Sequence, residues 1–253
     1  MAAFLDLPER SAKPRDRGLT HVIDRGLSVA EADGLVEVAG ASVDIVKLGW
    51  GTAVVTGNLP AKLDRYRAHG IPVVLGGTLT ELAIHQGRVD GLISWLRELG
   101  LEHVEVSEGT IDLDPERKLE LIGRLAQEFR VFSEVGSKDA ERIMAPYRWV
   151  EQIRAELAAG AWKVIAEARE SGTVGIYRHD GEPRMGLIDE IAHEVDPGRL
   201  VFEAPRKEQQ VFLLRRFGSE VNLGNIAPTD VLSLETLRLG LRSDTLLPAP
   251  EAS

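Results

Sequence analysis

Residues Arg130 to Lys138 read RVFSEVGSK, an apolar run with β-branched valines that ends in a carboxylate, a glycine and a lysine. A short run of this kind is typical of a buried strand, and the glycine after it is a turn signal. The pattern predicts a strand that places Glu134 and Lys138 at the edge of a sheet. Similar units recur along the chain, and their number decides the fold.

Eight strand-like runs alternate with helix-like segments along the sequence. Besides the opening stretch, strands are predicted at Leu19–Asp24, Val43–Lys47, Pro72–Leu75, His103–Ser107, Trp162–Glu167, Leu200–Glu203 and Glu220–Leu223. Helices are predicted over about 28–40, 60–68, 80–99 with a break near Gly87, 115–128, 146–159, 186–195, 207–217 and 229–240. Short strands that are apolar on both faces indicate a parallel sheet covered by helices, and eight such units close a barrel.

We therefore predict an α/β protein with a single parallel (β/α)8 TIM barrel over residues 19–245, an N-terminal extension at 1–18 and a frayed tail at 246–253. The competing fold is an open, doubly wound sheet. That fold would need a glycine-rich phosphate-binding turn after its first strand, and the sequence DRGL at 24–27 is not one.

Composition excludes several classes of function. The 253 residues carry 30 Lys and Arg against 40 Asp and Glu, a net charge of −10, which argues against sequence-independent nucleic-acid binding. The chain has no cysteine, so it has no disulfides, thiolate metal sites or thiol nucleophiles. No apolar run is long enough to span a bilayer, and charged residues throughout 1–17 argue against a signal peptide. We expect a cytoplasmic protein that binds neither nucleic acid nor membrane.

Polar side chains lie at the predicted strand ends, which is where the active sites of such barrels are found. The candidates from side-chain alternation are Asp24, Lys47, Glu105, Ser107, Glu134, Glu167, Glu203 and Asn222. Buried carboxylates need partners, and a divalent metal is one. Oxygen ligands, with no closely spaced pair among the six histidines, favour Mg²⁺ over zinc. The alternative is that these carboxylates only form structural ion pairs with Lys47, Lys138, Arg169 and Arg206.

A phosphate site is expected after the last strand, where Asn222, Gly224 and Asn225 lead into a helix N-terminus. The stretches GGT at 76–78 and GWGT at 49–52 are comparable candidates. In each case the same glycines could simply form turns.

Several short motifs, in order from about residue 15 to 245, together resemble the phosphosulfolactate synthase family. They are GLT at 18–20 with Asp24, VKLGWGT at 46–52, GGTL at 76–79, EVS at 105–107, EVG at 134–136 with Lys138, EARESG at 167–172, FEAP at 202–205 with Gln209 and Gln210, VNL at 221–223 with Asn225 and Ile226, and LETLR at 234–238 with GLR at 240–242. The resemblance implies a Mg²⁺-dependent barrel that adds sulfite to phosphoenolpyruvate, a step of coenzyme M biosynthesis.

The resemblance also implies roles for individual residues. Lys138 matches the family's proposed general acid, and Lys47 is a second catalytic candidate. Mg²⁺ is expected on some subset of Glu105, Glu134 and Glu167, and phosphate or sulfite on Lys47, Arg169, Arg206 and the corner formed by Asn222, Gly224 and Asn225. The chain departs from the family pattern at Thr80, Glu108 and Ser137.

Two other functions compete with this one. A diverged enzyme could add a different nucleophile to an enol phosphate. A non-catalytic relative is the other, since plant heat-stress proteins resemble the family. A purely protective scaffold would have no chemical reason to keep the set Lys47, Glu105, Glu134, Lys138, Glu167 and Glu203. We also expect a homo-oligomer, although no stretch identifies an interface.

Overall fold

A computed structural model describes residues 4–136, 144–169 and 171–246. Eight parallel strands pair in sequence order, and β8 pairs with β1, so the sheet is a closed barrel. The strands are β1 Thr20–Asp24, β2 Ile45–Leu48, β3 Val73–Leu75, β4 His103–Val106, β5 Arg130–Val135, β6 Lys163–Ala166, β7 Leu200–Glu203 and β8 Leu223–Ile226. The predicted (β/α)8 TIM barrel is confirmed.

Helices cover the outside of the barrel. They are α1 Val29–Ala39, α2 Thr52–Val55, α3 Leu59–Ala68, α4 Gly77–His85, α5 Val89–Glu98, α6 Pro115–Leu125, α7 Pro146–Ala159, α8 Met185–Glu194, α9 Lys207–Phe217 and α10 Val231–Arg238. A capping box starts α1, since Ser28 and Glu31 bond each other's backbone there. The break expected near Gly87 separates α4 from α5, and that glycine has a positive φ of 64°. The one-turn helix α2 was not predicted.

The barrel interior consists of two layers set by the alternation of side chains along each strand. Leu19, Ile45, Val74, Phe132, Ile165 and Val201 form a small buried cluster inside the barrel. Two residues further along their strands, Lys47, Glu134, Glu167 and Glu203 line a cavity. Alternation therefore puts Lys47 on the same face as Ile45, and Glu134 on the same face as Phe132.

Aromatic rings extend the apolar layer. The ring of Phe132 lies 5.5 Å from His21 and 6.1 Å from His103, measured between centroids, and Trp162 packs edge-on against Phe132 at 5.1 Å. Burial, and then the positive charge of Arg130, lowers the pKa of His103 to about 4. This histidine is therefore neutral in the folded protein near pH 7.

The neutral state of His103 predicts a loss of stability in acid. Between pH 6.5 and 4 the unfolded chain binds a proton at His103 that the folded chain does not, so the free energy of unfolding should fall by up to about 3 kcal/mol as pH decreases. Urea unfolding of the wild type and His103→Gln between pH 4 and 7 measures the difference. The exposed histidine variant His85→Gln is the control. Parallel pH profiles for wild type and His103→Gln would contradict the prediction.

The predicted position of the last strand was wrong. The sequence indicated Glu220–Leu223, whereas β8 runs from Leu223 to Ile226. Gly224 and Asn225 have low strand propensity, but the neighbouring strands supply ladder hydrogen bonds that override it, such as Ala204 N–H to the Gly224 carbonyl at 2.9 Å. The shift places Asn222 at the opposite end of the barrel from the cavity. The proposed domain boundaries stay a prediction, and residues 247–253 of the predicted tail lie outside the described residues.

Candidate active site

A cavity of about 130 Å³ opens at the carboxyl ends of the strands, where the active site of a TIM barrel is expected. Acidic side chains dominate its polar lining. The lining residues are Ile23, Lys47, Gly49, Trp50, Gly76, Gly77, Thr78, Glu105, Glu134, Glu167, Arg169, Glu203 and Asn225.

Three of the glutamates form a compact group. One carboxylate oxygen each from Glu134, Glu167 and Glu203 lies within 4.8 Å of the others, and all three residues are buried. They come from the ends of β5, β6 and β7, neighbouring strands whose parallel pairing brings their ends together. An oxygen-only donor set of this kind fits a hard divalent cation such as Mg²⁺.

Glu105 lies beside this group and is not part of it. One of its oxygens accepts a 2.6 Å hydrogen bond from the Gly77 amide, and the other lies 3.5 Å from Lys47 Nζ. The sequence prediction placed the metal on Glu105, Glu134 and Glu167, whereas the compact group contains Glu203 in place of Glu105. A side chain at position 77 would crowd Glu105, since a Cβ there would lie 3.0 Å from its carboxylate.

Lys47 sits among the carboxylates. Its Nζ is 3.4 Å from Glu203 and 3.5 Å from Glu105. Burial alone would lower the pKa of Lys47, but Glu105 and Glu203, with smaller effects from Glu134 and Glu167, raise it above the ordinary lysine value. Burial also raises the pKa of Glu105, against the opposing charge of Lys47. Lys47 is therefore a fixed ammonium at neutral pH.

The described lining of the cavity is rich in negative charge. It brings four buried glutamates around one buried lysine, and its other cation is Arg169, which is exposed at the rim. Carboxylates collected in a low-dielectric site are stabilised by a cation or a proton. The acidic character of this lining therefore supports a metal at the compact group.

Three rim residues adopt left-handed backbone conformations. Trp50, Arg169 and Asn225 have positive φ values of 56°, 58° and 54°. Such conformations cost energy in residues other than glycine and concentrate at functional sites. Arg169 is held by a hydrogen bond from its own amide to Glu167, and Trp50 packs under the guanidinium of Arg25 at 5.2 Å.

Asp24 faces away from the cavity, so its prediction as an inward strand-end residue was wrong. It pairs with Lys62 at 2.6 Å, and it accepts hydrogen bonds from the Tyr66 hydroxyl and from the amides of Gly26 and Leu27. Like Val22, it points toward the helices rather than into the barrel. Through Lys62 and Tyr66, Asp24 holds α3 against the end of β1.

This role predicts the effect of Tyr66→Phe. The change removes one hydrogen bond to a buried carboxylate and should lower the free energy of unfolding by about 1.5–3 kcal/mol while leaving kcat unchanged. Urea unfolding and steady-state kinetics measure the two effects. The matched control is Tyr147→Phe, because Tyr147 is 55% exposed. A fall in kcat without a loss of stability would point instead to Asp24 as part of the reaction site.

Three other predicted candidates are structural in their contacts. Ser107 donates to Glu81, whose second oxygen accepts from the amides of Thr110 and Ile111, so this pair fastens the loop after β4. Arg206 donates to the carbonyls of Ser171 and Asp180 and does not line the cavity.

Asn222, the third of these, lies near the start of β8. Its amide bonds the backbone of Leu19 and Leu200, so it closes the barrel between β1, β7 and β8 rather than binding phosphate at the cavity. Gly224 lies within β8, where a Cβ would approach Val201 at 3.1 Å. Of the predicted phosphate corner, only Asn225 lines the cavity.

Lys118 was missed in the sequence prediction. Its ammonium donates to the backbone carbonyl of Glu134 at 2.7 Å and pairs with Glu156 at 2.7 Å, so it fixes the strand that carries a member of the compact group. The signal was available, because Lys118 lies on the same stripe of α6 as Ile122 and Leu125 and all three are buried. Lys138, the predicted general acid, lies outside the described residues.

Comparison with known proteins identifies the family of the chain. The profile of "(2R)-phospho-3-sulfolactate synthase (ComA)" matches residues 8–244. A phosphosulfolactate synthase from Methanothermobacter thermautotrophicus is 42% identical over 94% of this chain and 95% of its own, and one from Bacillus subtilis is 41% identical over 95% and 97%.

A solved structure supports the fold alone. The 3-hexulose-6-phosphate synthase from Salmonella typhimurium aligns with a TM-score of 0.53 at 15% identity, over 84% of this chain and 89% of its own. Among the helices that the structure describes, none is long and apolar enough to cross a membrane.

The profile match and the two relatives, each spanning nearly the whole chain, indicate an enzyme and show that the chain belongs to the (2R)-phospho-3-sulfolactate synthase (ComA) family.

Proposed function

We propose that this chain adds sulfite to the methylene carbon of phosphoenolpyruvate and forms 2-phospho-3-sulfolactate. The observation that carries the proposal is the cavity in which Lys47 and four buried glutamates meet, in a chain of this family. In the reaction a C–S bond forms at the methylene carbon, the C=C electron pair moves to the adjacent carbon, and that carbon takes a proton. No bond to phosphate breaks.

The compact group Glu134, Glu167 and Glu203 would hold Mg²⁺. When bound, the ion would supply positive charge next to the substrate carboxylate, where negative charge builds up during the addition. The donor set supports this choice because it consists of carboxylate oxygens, which Mg²⁺ prefers.

The remaining charged groups have roles that follow from their positions. Lys47 presents a permanent ammonium inside the cavity and would stabilise the same developing negative charge. Arg169, which is exposed at the rim of the cavity, would bind the phosphate as the substrate enters. Lys138 is proposed as the acid that protonates the carbon, on the basis of the family resemblance.

Phosphorus NMR tests the proposal directly. Purified protein with phosphoenolpyruvate, sulfite and Mg²⁺ is expected to produce a new phosphomonoester resonance that requires both sulfite and Mg²⁺. Lys138→Ala should abolish the new resonance without changing the melting temperature.

A wild-type sample in which phosphoenolpyruvate stays unchanged would reject sulfite addition. A screen of other nucleophiles would then separate a diverged enzyme from a non-catalytic relative. A product that forms without Mg²⁺ but needs sulfite would reject only the metal.

The partners that this proposal requires are small anions. Neither a nucleic acid nor a membrane enters the reaction, and a role in coenzyme M biosynthesis and a cytoplasmic location stay predictions. Assembly into a homo-oligomer also stays a prediction, which sedimentation velocity of the wild type would test.

A further inference from the structure

A second and larger cavity lies at the opposite end of the barrel. Its volume is about 560 Å³, within the range of small-molecule sites. The N-terminal segment forms one wall with Lys13, Pro14 and Arg15, and the starts of β4 and β5 contribute His103 and Arg130. None of the residues that line it lines the active-site cavity.

The lining of this cavity is positive in a chain whose net charge is −10. Arg15 pairs with Asp44 at 2.9 Å, and Lys13 donates to the carbonyls of Gly40 and Val43, so these two cations already have partners. Arg130 is different. It is exposed, its guanidinium stacks over the ring of Trp162 at 5.1 Å, and no carboxylate of the described residues pairs with it.

The inner wall is apolar with one unsatisfied polar group. Leu19, Ile45 and Trp162 line the cavity, and the first two belong to the buried cluster inside the barrel. His103 also lines it, is only 3% exposed, and its Nδ1 has no hydrogen-bond partner among the described residues.

We propose that this cavity is a second binding site for an organic anion, a carboxylate or sulfonate carried on an apolar body. The anionic group would pair with Arg130, and the apolar body would fill the cavity beside Trp162. The planar fork of a guanidinium can pair two donors with two oxygens of a carboxylate or a sulfonate, and an aromatic side chain packs against an apolar body.

Fluorine NMR with 4-(trifluoromethyl)benzenesulfonate as the probe tests this site. The wild-type protein should broaden the probe resonance in a saturable way with a Kd below about 1 mM. Arg130→Gln should weaken binding by about tenfold, the effect of losing one charge-assisted hydrogen bond. The matched control is Arg88→Gln, which removes an exposed arginine elsewhere on the surface and should leave Kd unchanged.

Two further samples distinguish binding in this cavity from binding in the active site or on the surface. Lys47→Met disables the active-site cavity and should leave probe binding unchanged, whereas loss of binding in that variant would place the probe in the active site and overturn the proposal. The neutral analogue 4-(trifluoromethyl)benzyl alcohol should bind at least about tenfold more weakly. Equal binding of the alcohol, equal loss in both arginine variants, or no saturation with the sulfonate would also overturn it.

Discussion

Lys47→Met is expected to lower kcat/KM for the proposed sulfite addition by about 10³-fold, because it removes the one buried ammonium from the described lining of the active-site cavity. The Nζ lies within 3.5 Å of both Glu105 and Glu203, so its loss also leaves these carboxylates to repel each other and the substrate anions. Initial rates from phosphorus NMR measure the effect.

A matched control distinguishes the charge inside the cavity from charge in general. Lys207→Met removes a lysine that pairs with Asp244 on the surface, and it should retain wild-type kinetics. Melting temperatures of both variants show whether Lys47→Met is still folded. A folded Lys47→Met protein with wild-type kcat/KM would remove Lys47 from the proposed chemistry.

Glu203→Gln is expected to weaken Mg²⁺ binding by at least about 100-fold, since it changes a carboxylate of the compact group. Glu105→Gln is the matched comparison. Its carboxylate lies outside the compact group, although its contacts with a backbone amide and with Lys47 resemble those of Glu203, so its effect on Mg²⁺ affinity should be smaller. Titration calorimetry with Mg²⁺ alone measures both affinities without relying on turnover.

The same pair of variants separates two sets of metal ligands. The sequence indicated Glu105 with Glu134 and Glu167, and the geometry favours Glu203 with the latter two. If Glu105→Gln abolished Mg²⁺ binding while Glu203→Gln did not, the compact group would be the wrong ligand set. Retention of wild-type affinity in both variants would remove both residues from the metal site.

Side-chain alternation predicted much of the site because it is a local property of a strand. Once Ile45, Phe132 and Ile165 are inside the barrel, Lys47, Glu134 and Glu167 must face the same way. Asp24 shows where this reasoning fails. It shares a face of β1 with Val22, and that face packs against the helices. Which face is inside depends on how the strand is rotated in the closed sheet.

The last strand shows a second limit. Leu223–Ile226 contains a glycine and an asparagine, residues with low strand propensity, and the strand was predicted over Glu220–Leu223 instead. Hydrogen bonds from β1 and β7 decided the position, and both partners are distant in sequence. Because of this error, Asn222 was predicted to bind phosphate at the cavity, whereas it makes structural contacts at the opposite end of the barrel.

The sequence by itself determined the number of strand–helix units, the family motifs and the acidic character of the strand ends, because these follow from residue order, periodicity and composition. Only the tertiary structure decided which carboxylates meet within 4.8 Å, that Lys47 lies between Glu105 and Glu203, and that Asp24 serves α3. Closure of the barrel sets these distances. It fixes the tilt and register of strands that lie far apart along the chain, and no local pattern records them.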